Sequence, residues 1–540
     1  MRRFKKLIAC LLMFTLIFTA ALPALAVDAK APAVSGTDAL KETVSNRFYQ
    51  VVDRLIRILG RVLNTVIPGL NWTGKIPALK DYTTENFYPG KASFDAAPAA
   101  DARWQMGFGE ASFLTDIDPL DGSFYIAGAL GFTEGNVPVE VADDQGVNTF
   151  ALSDGVTTVT FSSVDGFGLT RGDVLEVRRR LATFAAEHGI GAINISAIHQ
   201  HSCIDTLGLG APILPAVMKN PTDILFGGNH LVTGKTDAFM EAFYTAVTQS
   251  VIEAVESLTP GALYYGAADI SEHINDKRDP QCFDPNFNRL RFVPDNGGRQ
   301  IVVGQTCIHP VTVPSDSHVL SADYPYYVEQ YVNEHMGADF VFVQGAELAI
   351  SSHAGTFTYD SADGATARAE AMGKTLGAKL CAITEETELP PLLNIAFTEV
   401  TVPVDNPIHI IAGREGLLSS VFVRDGLGYS VITELGYMEL GGTLGVVLAP
   451  GEIEPAILWG GAPASEDTWT GESWNYAPWQ QVCGAEKLLC FGLCNDQIGY
   501  ILCDNDYRSM LTENEEVNAA SQHAGSILSE AFEGLIAKVK

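Results

Sequence analysis

Four places in this chain carry residue types that could hold a metal ion. His199 and His201 form a His-x-His in Ala197-Ile198-His199-Gln200-His201-Ser202. Neutral imidazole is the commonest protein ligand for zinc. Residues i and i+2 of a strand face the same way. Both rings would therefore look out from one face at the end of the strand running from Gly191 to His199. By itself the pair is a weak signal, because two polar residues at a strand end read equally well. His309, followed by Pro310, ends a second apolar run, and Glu452 in Pro450-Gly451-Glu452 ends a third. Three strand ends that supply His, His and a carboxylate, with one position left for water, are the build of a catalytic zinc site. Tyr500 follows the Asn495-Asp496 turn and is unremarkable alone.

The elements that must position these residues follow from hydrophobic periodicity. Strands are expected at Thr157 to Ser163, Gly191 to His199, Arg299 to His309, Phe340 to Gln344 and Leu444 to Ala449. Helices are expected at Asp173 to His188, Asp237 to Glu256, Tyr324 to His335 and from about Asn514 to Val539. Strand and helix alternate, which argues an α/β fold. The reading is one large catalytic-type domain, residues 96–540, with a mixed β-sheet core and flanking helices. In open α/β sheets ligands bind outside the carboxyl ends of strands, where the two His motifs fall.

Residues 1–26 read as a secretory signal peptide. Arg2, Arg3, Lys5 and Lys6 precede an apolar run from Leu7 to Pro23, and Ala24-Leu25-Ala26 is a small-x-small cleavage site. The run is short for a span of about 20 residues. Export is therefore the expected localisation. Residues 27–95 form an N-terminal arm. Within it Phe48, Val52, Leu55, Leu59, Val62 and Val66 recur at helical spacing, with Arg47, Arg54, Arg57 and Arg61 between them. A basic amphipathic helix over 46–67 can lie on a membrane surface or pack on its own domain. The 540 residues hold 65 acidic against 34 basic side chains, a net charge of −31. Such a balance repels nucleic acid. Eight cysteines follow the leader, too few for a disulfide scaffold. One or two local disulfides, or none, are expected.

Taken together, these motifs resemble the neutral, non-lysosomal ceramidases, exported zinc amidases that cleave the N-acyl bond of ceramide. The resemblance runs from about residue 105 to 512. It is strongest at Gly492-Leu493-Cys494-Asn495, Ile498-Gly499-Tyr500-Ile501 and Tyr507. Ile308-His309-Pro310-Val311-Thr312 with His318 to Asp323, Pro450-Gly451-Glu452, and His199-Gln200-His201-Ser202 are similar to further family segments. The resemblance implies a zinc ion held by His199, His309, Glu452 and Tyr500. It implies that His201 faces the substrate. Arg278, in a segment from His273 to Pro280, would reach into the active site. It also implies a small lipid-like amide as the partner.

The departures bear on the substrate. The family's Gly-Pro after its His-Thr-His-Ser reads Cys203-Ile204 here. Its Gly-Asp-Val-Ser-Pro segment, whose Ser is implicated in activity, falls in Gly345-Ala346-Glu347-Leu348-Ala349-Ile350-Ser351-Ser352-His353. A downstream active-site Tyr falls on Thr512, and no C-terminal immunoglobulin-like domain is expected. Trp469, Trp474, Tyr476 and Trp479 lie between Glu452 and Tyr500. They could line an apolar or sugar-binding mouth or pack as a surface flap. Three functions stay open: a secreted zinc amidase for an N-acyl lipid, a non-catalytic relative that binds lipid or glycan, and a hydrolase of a different amide or ester.

Overall fold

The computed structural model describes residues 51–56, 58, 76–129, 135–212, 233–314, 316–414, 417–426, 428–468, 470–509 and 515–540. The signal peptide, most of the helix expected over 46–67, Trp469 and Thr512 lie outside them.

The larger sheet contains β1 (Trp104–Ser112), β2 (Gly146–Ser153), β3 (Thr158–Val164), β4 (Ile190–Ala197), β5 (Thr259–Asp269), β6 (Asn286–Pro294), β7 (Gln300–Thr306), β8 (Ala338–Gln344) and the short β9 (Thr387–Leu389). Their order is β8-β7-β6-β5-β1-β2-β3-β4, with β9 on β5. The outermost pairs, β3 with β4 and β7 with β8, are parallel. A parallel pair needs a crossover, and a helix supplies each one. α1 (Arg171–His188) joins β3 to β4. After α2 (Asp237–Glu256) in the chain, α3 (Asp323–Met336) joins β7 to β8. β8 also touches β2, β3 and β4, so the sheet curls until its two parallel edges meet. That curl brings the carboxyl ends of β4 and β7 to one place.

A second sheet packs on the first. It contains β10 (Leu393–Val404), β11 (Phe422–Asp425), β12 (Gly428–Leu440), β13 (Leu444–Leu448) and β14 (Lys487–Phe491). The order is β10-β12-β13-β14, with β11 on β12. The period-2 alternation of a strand explains why both faces of both sheets are apolar. Val341 and Val343 of β8 share a core with Leu444, Val446 and Leu448 of β13, between the sheets. The intervening Phe340 and Phe342 point outward, onto α3 and α4 (Ala367–Cys381). Ile193 and Ile195 of β4 likewise face α1 and α2. The far face of the second sheet is covered by α5 (Ala524–Val539), whose Leu528, Phe532, Leu535, Ile536 and Val539 recur at helical spacing. The result is an α/β fold of two sheets flanked by helices.

The helix expected over Asp237–Glu256 matches the structure to the residue. Thr236 caps it, its hydroxyl accepting the Phe239 amide at 3.3 Å. The C-terminal helix begins at Ala524, ten residues later than expected, after a short 3-10 turn at Glu515–Asn518. Among the described residues no cysteine is paired. Trp479 is fully buried, stacks on Phe532 at 4.6 Å and donates its indole N–H to Ser529. It belongs to the core under α5 and lines no mouth. Tyr476 lies tilted against Trp474, with ring centroids 4.9 Å apart, and donates to Glu530 on the same helix.

Candidate metal centre

β4 stops at Ala197, two residues short of the expected end, and His199 takes a φ of +63°. Strand alternation therefore does not aim the two histidines. Tertiary hydrogen bonds do. The Ile198 amide donates to Val164 and the His199 amide to Gly166, both at 3.0 Å. A left-handed backbone costs a non-glycine residue about 1–2 kcal/mol, and these bonds offset it. The His199 ring stacks on Phe167, and its Nδ1–H donates to the Phe167 carbonyl at 2.5 Å. A histidine fixed through one nitrogen presents the other, here Nε2, as a ligand.

Glu452 reaches the same place from the second sheet. Glu452–Ile453 and Tyr500–Ile501 form a two-residue parallel ribbon in which Glu452 is paired with Tyr500. The loop before Tyr500 is strapped down on all sides. Gly492 donates to Gln344, Cys494 to Ala449 and Asn495 to Ile195. The Asn495 side chain accepts the Ile195 amide at 2.9 Å. Leu493 and Asn495 hold positive φ, and Gly499 sits at +91°. A Cβ on Gly499 would fall 1.9 Å from the Asn518 carbonyl oxygen, so only glycine fits before Tyr500. Glu452 Oε1 accepts from Gln497 at 3.1 Å and lies 3.4 Å from His199 Nε2. Tyr500 packs against Leu348, Ala349, Leu502 and Tyr507.

His309 follows β7. Its ring lies 4.5 Å from that of His199, and its Nε2 is 3.0 Å from His201 Nε2. Its Nδ1 is 3.4 Å from Oε2 of Glu347, a residue to which sequence reasoning gave no role. Ligand atoms of His199, His309, Glu347 and Glu452 all lie within 4.8 Å of one another, and those of His199, His201 and His309 do likewise. Burial, and then the charge of its His neighbour, push the His199 and His309 rings well below their ordinary pKa. Burial pushes His201 down to about 4. All three rings are thus neutral near pH 7, the form that binds metals. Burial, and then the charge of Glu452, push the Glu347 carboxyl well up. Two buried carboxylates and neutral imidazoles in one small volume are a set that lacks a positive charge, and a divalent cation would fit it. Glu347 was hidden inside the apolar run Ala346-Glu347-Leu348-Ala349-Ile350. An acid amid such neighbours was the available signal.

The remaining sequence candidates lie as follows. Arg278 is buried, and its guanidinium is taken up by Asp506 (2.7 Å) and Glu516 (3.4 Å). The cation whose charge reaches His201 and His309 is its exposed neighbour Lys277. Ser351 is bonded to Asn275, and Ser352 accepts from Arg368. A cavity of about 320 Å³ lies beside Tyr507, lined also by Arg54, Asp504, Arg508 and His523. None of the clustered His or Glu residues lines it.

No protein-family model matches this chain, and no curated protein matches it by sequence. Solved structures do. Neutral ceramidase from Pseudomonas aeruginosa superposes with a TM-score of 0.59 at 14% identity, covering 81% of this chain and 74% of that one. A ceramidase complexed with C2 gives 0.56 at 14% identity, covering 81% and 75%. Identity that low carries the fold alone. By architecture, this chain is a divergent protein with the neutral ceramidase-like fold.

Proposed function

We propose that this chain is an exported zinc-dependent hydrolase that cleaves the N-acyl amide of a ceramide-like lipid. The observation that carries the reading is the buried His/Glu cluster at the meeting point of two parallel sheet edges in a ceramidase-like fold. His199, His309, Glu452 and Tyr500 would hold the ion. Zinc bound there would supply Lewis acidity toward water and an acyl carbonyl. His201 is partly exposed and neutral, so it can accept a proton from, or position, a substrate group. Lys277 offers a positive charge near the same histidines, where an oxyanion needs one. Arg278 would hold the Asp506 to Tyr507 loop in place. The leader at residues 1–26 supports export.

The test is hydrolysis of a fluorescent N-acylsphingosine by the purified mature chain. One zinc per chain is expected, with turnover lost on chelation and restored by Zn2+. Full turnover in chelated, metal-free protein would overturn the metal; no turnover of any N-acyl amide by loaded protein would overturn the amidase. The altered Gly345 to His353 segment favours a second reading, a different amide or ester. Faster cleavage of short N-acyl amides or esters than of ceramide would select it.

A further inference from the structure

The site holds one carboxylate more than the motifs assign. Glu347 is fully buried, and neither of its oxygens accepts a hydrogen bond of good geometry; the Gln344 amide is the side-chain donor that comes near. That amide also donates to the Ile308 carbonyl, at 3.3 Å. A buried carboxylate with both oxygens unmatched needs either a proton or a cation beside it.

Two distances identify the cation's place. His199 Nε2 lies 3.4 Å from Glu452 Oε1, and His309 Nδ1 lies 3.4 Å from Glu347 Oε2. Both exceed the roughly 2.7–3.2 Å of an N–H···O bond. Two neighbouring ligands on one ion, each bonded at about 2.0–2.1 Å and separated by an angle of about 110°, stand about 3.3–3.4 Å apart. The pairs therefore keep the spacing of ligands. The other ring nitrogens are occupied in a consistent way. His199 Nδ1 donates to Phe167, and His309 Nε2 faces His201 Nε2 at 3.0 Å. That leaves His199 Nε2 and His309 Nδ1 turned toward the carboxylates.

We propose that Glu347 is a direct ligand of the metal, and that His309 binds through Nδ1 while its Nε2–H is held by His201. This rests on the reading above that the cluster holds a divalent ion. Two carboxylates would balance the ion's charge inside a buried site, and His201 becomes a positioning residue for His309.

The experiment measures Zn2+ affinity by competition with a chromophoric chelator. It also records the visible absorption of the Co2+-substituted protein, for wild type, Glu347→Gln and His199→Ala. Glu347→Gln is expected to weaken binding by more than about 100-fold, beyond the roughly 10–100-fold that loss of an outer partner costs, and to change the Co2+ band positions and intensities, because a ligand is lost. Wild-type affinity and an unchanged Co2+ spectrum in Glu347→Gln, with binding lost in His199→Ala, would overturn this proposal and leave the metal site standing. A wild type that takes up no ion would overturn both. Should Glu347→Gln fail to fold, Glu347→Asp withdraws the oxygens by one methylene and decides by the same affinity criterion.

Discussion

His199→Ala should yield a folded protein that retains no metal after dialysis and shows no hydrolysis above background. The size of the effect follows from how many demands meet on this ring. It is 1% exposed, stacked on Phe167, and committed through Nδ1, so Nε2 has no freedom to turn elsewhere. Loss of an outer partner of a metal ligand costs roughly 10–100-fold in affinity, and loss of the ligand itself should exceed that. The fold should survive. The backbone bond from the His199 amide to Gly166 does not need the side chain, and alanine inherits the same left-handed strain. His199→Asn separates the effects, because asparagine tolerates φ above zero better than alanine yet cannot replace the imidazole. Elemental analysis of both variants, with thermal melts in chelator, checks the expectation. A variant that keeps one ion per chain and measurable turnover would remove His199 from the metal set.

The sequence exposed what rested on local pattern and concealed what rested on tertiary contact. α2 could be placed to the residue because a Thr cap and a 3.6-residue apolar stripe are both written locally. His199, His309 and Glu452 could be picked out because each follows an apolar run, and the structure gathers all three. The end of β4 could not. No glycine or proline marks the stretch from Ala197 to His201, and Ile198 continues the strand pattern. The turn is imposed by carbonyls of Val164, Gly166 and Phe167, about thirty residues earlier. The Glu452–Tyr500 ribbon is two residues long on each side, below any periodic signal. Glu347 stands among apolar residues with no ligand-spaced partner, so nothing local marks it as a ligand. The structure ties Ser351 and Ser352 of the same segment to other partners and turns the acid inward.

Glu434→Gln should destabilise the fold by roughly 3–5 kcal/mol, the usual cost of stripping one partner from a buried ion pair. Glu434 accepts from Arg171 at 2.9 Å and from Arg178 at 2.6 Å, and all three side chains are at most 2% exposed. The substitution is close to isosteric, so it strips Arg178 of its carboxylate and leaves Arg171 only Glu399. The Arg171 amide also donates to Asp496 at 2.8 Å, in the loop that leads to Tyr500. The triad thus anchors the start of α1 and the strap over the metal centre together, and metal affinity should fall along with stability. Burial alone would raise the Glu434 carboxyl, but Arg178 and Arg171 outweigh it and hold it below its ordinary value. A carboxylate held down in the folded state stabilises above the unfolded pKa, about 4.3. Wild type should therefore lose this contribution as pH falls through the lower folded value, and Glu434→Gln should lack that part of the acid transition. Urea denaturation at pH 7 and at pH 3 measures both. A variant within 1 kcal/mol of wild type at pH 7 would mean that water reaches the two arginines. A triple replacement of Arg171, Arg178 and Glu434 by apolar residues of similar volume should recover most of the loss, because it removes the buried charges together and deprives only the partly exposed Glu399, which Thr84 also contacts, of its arginine.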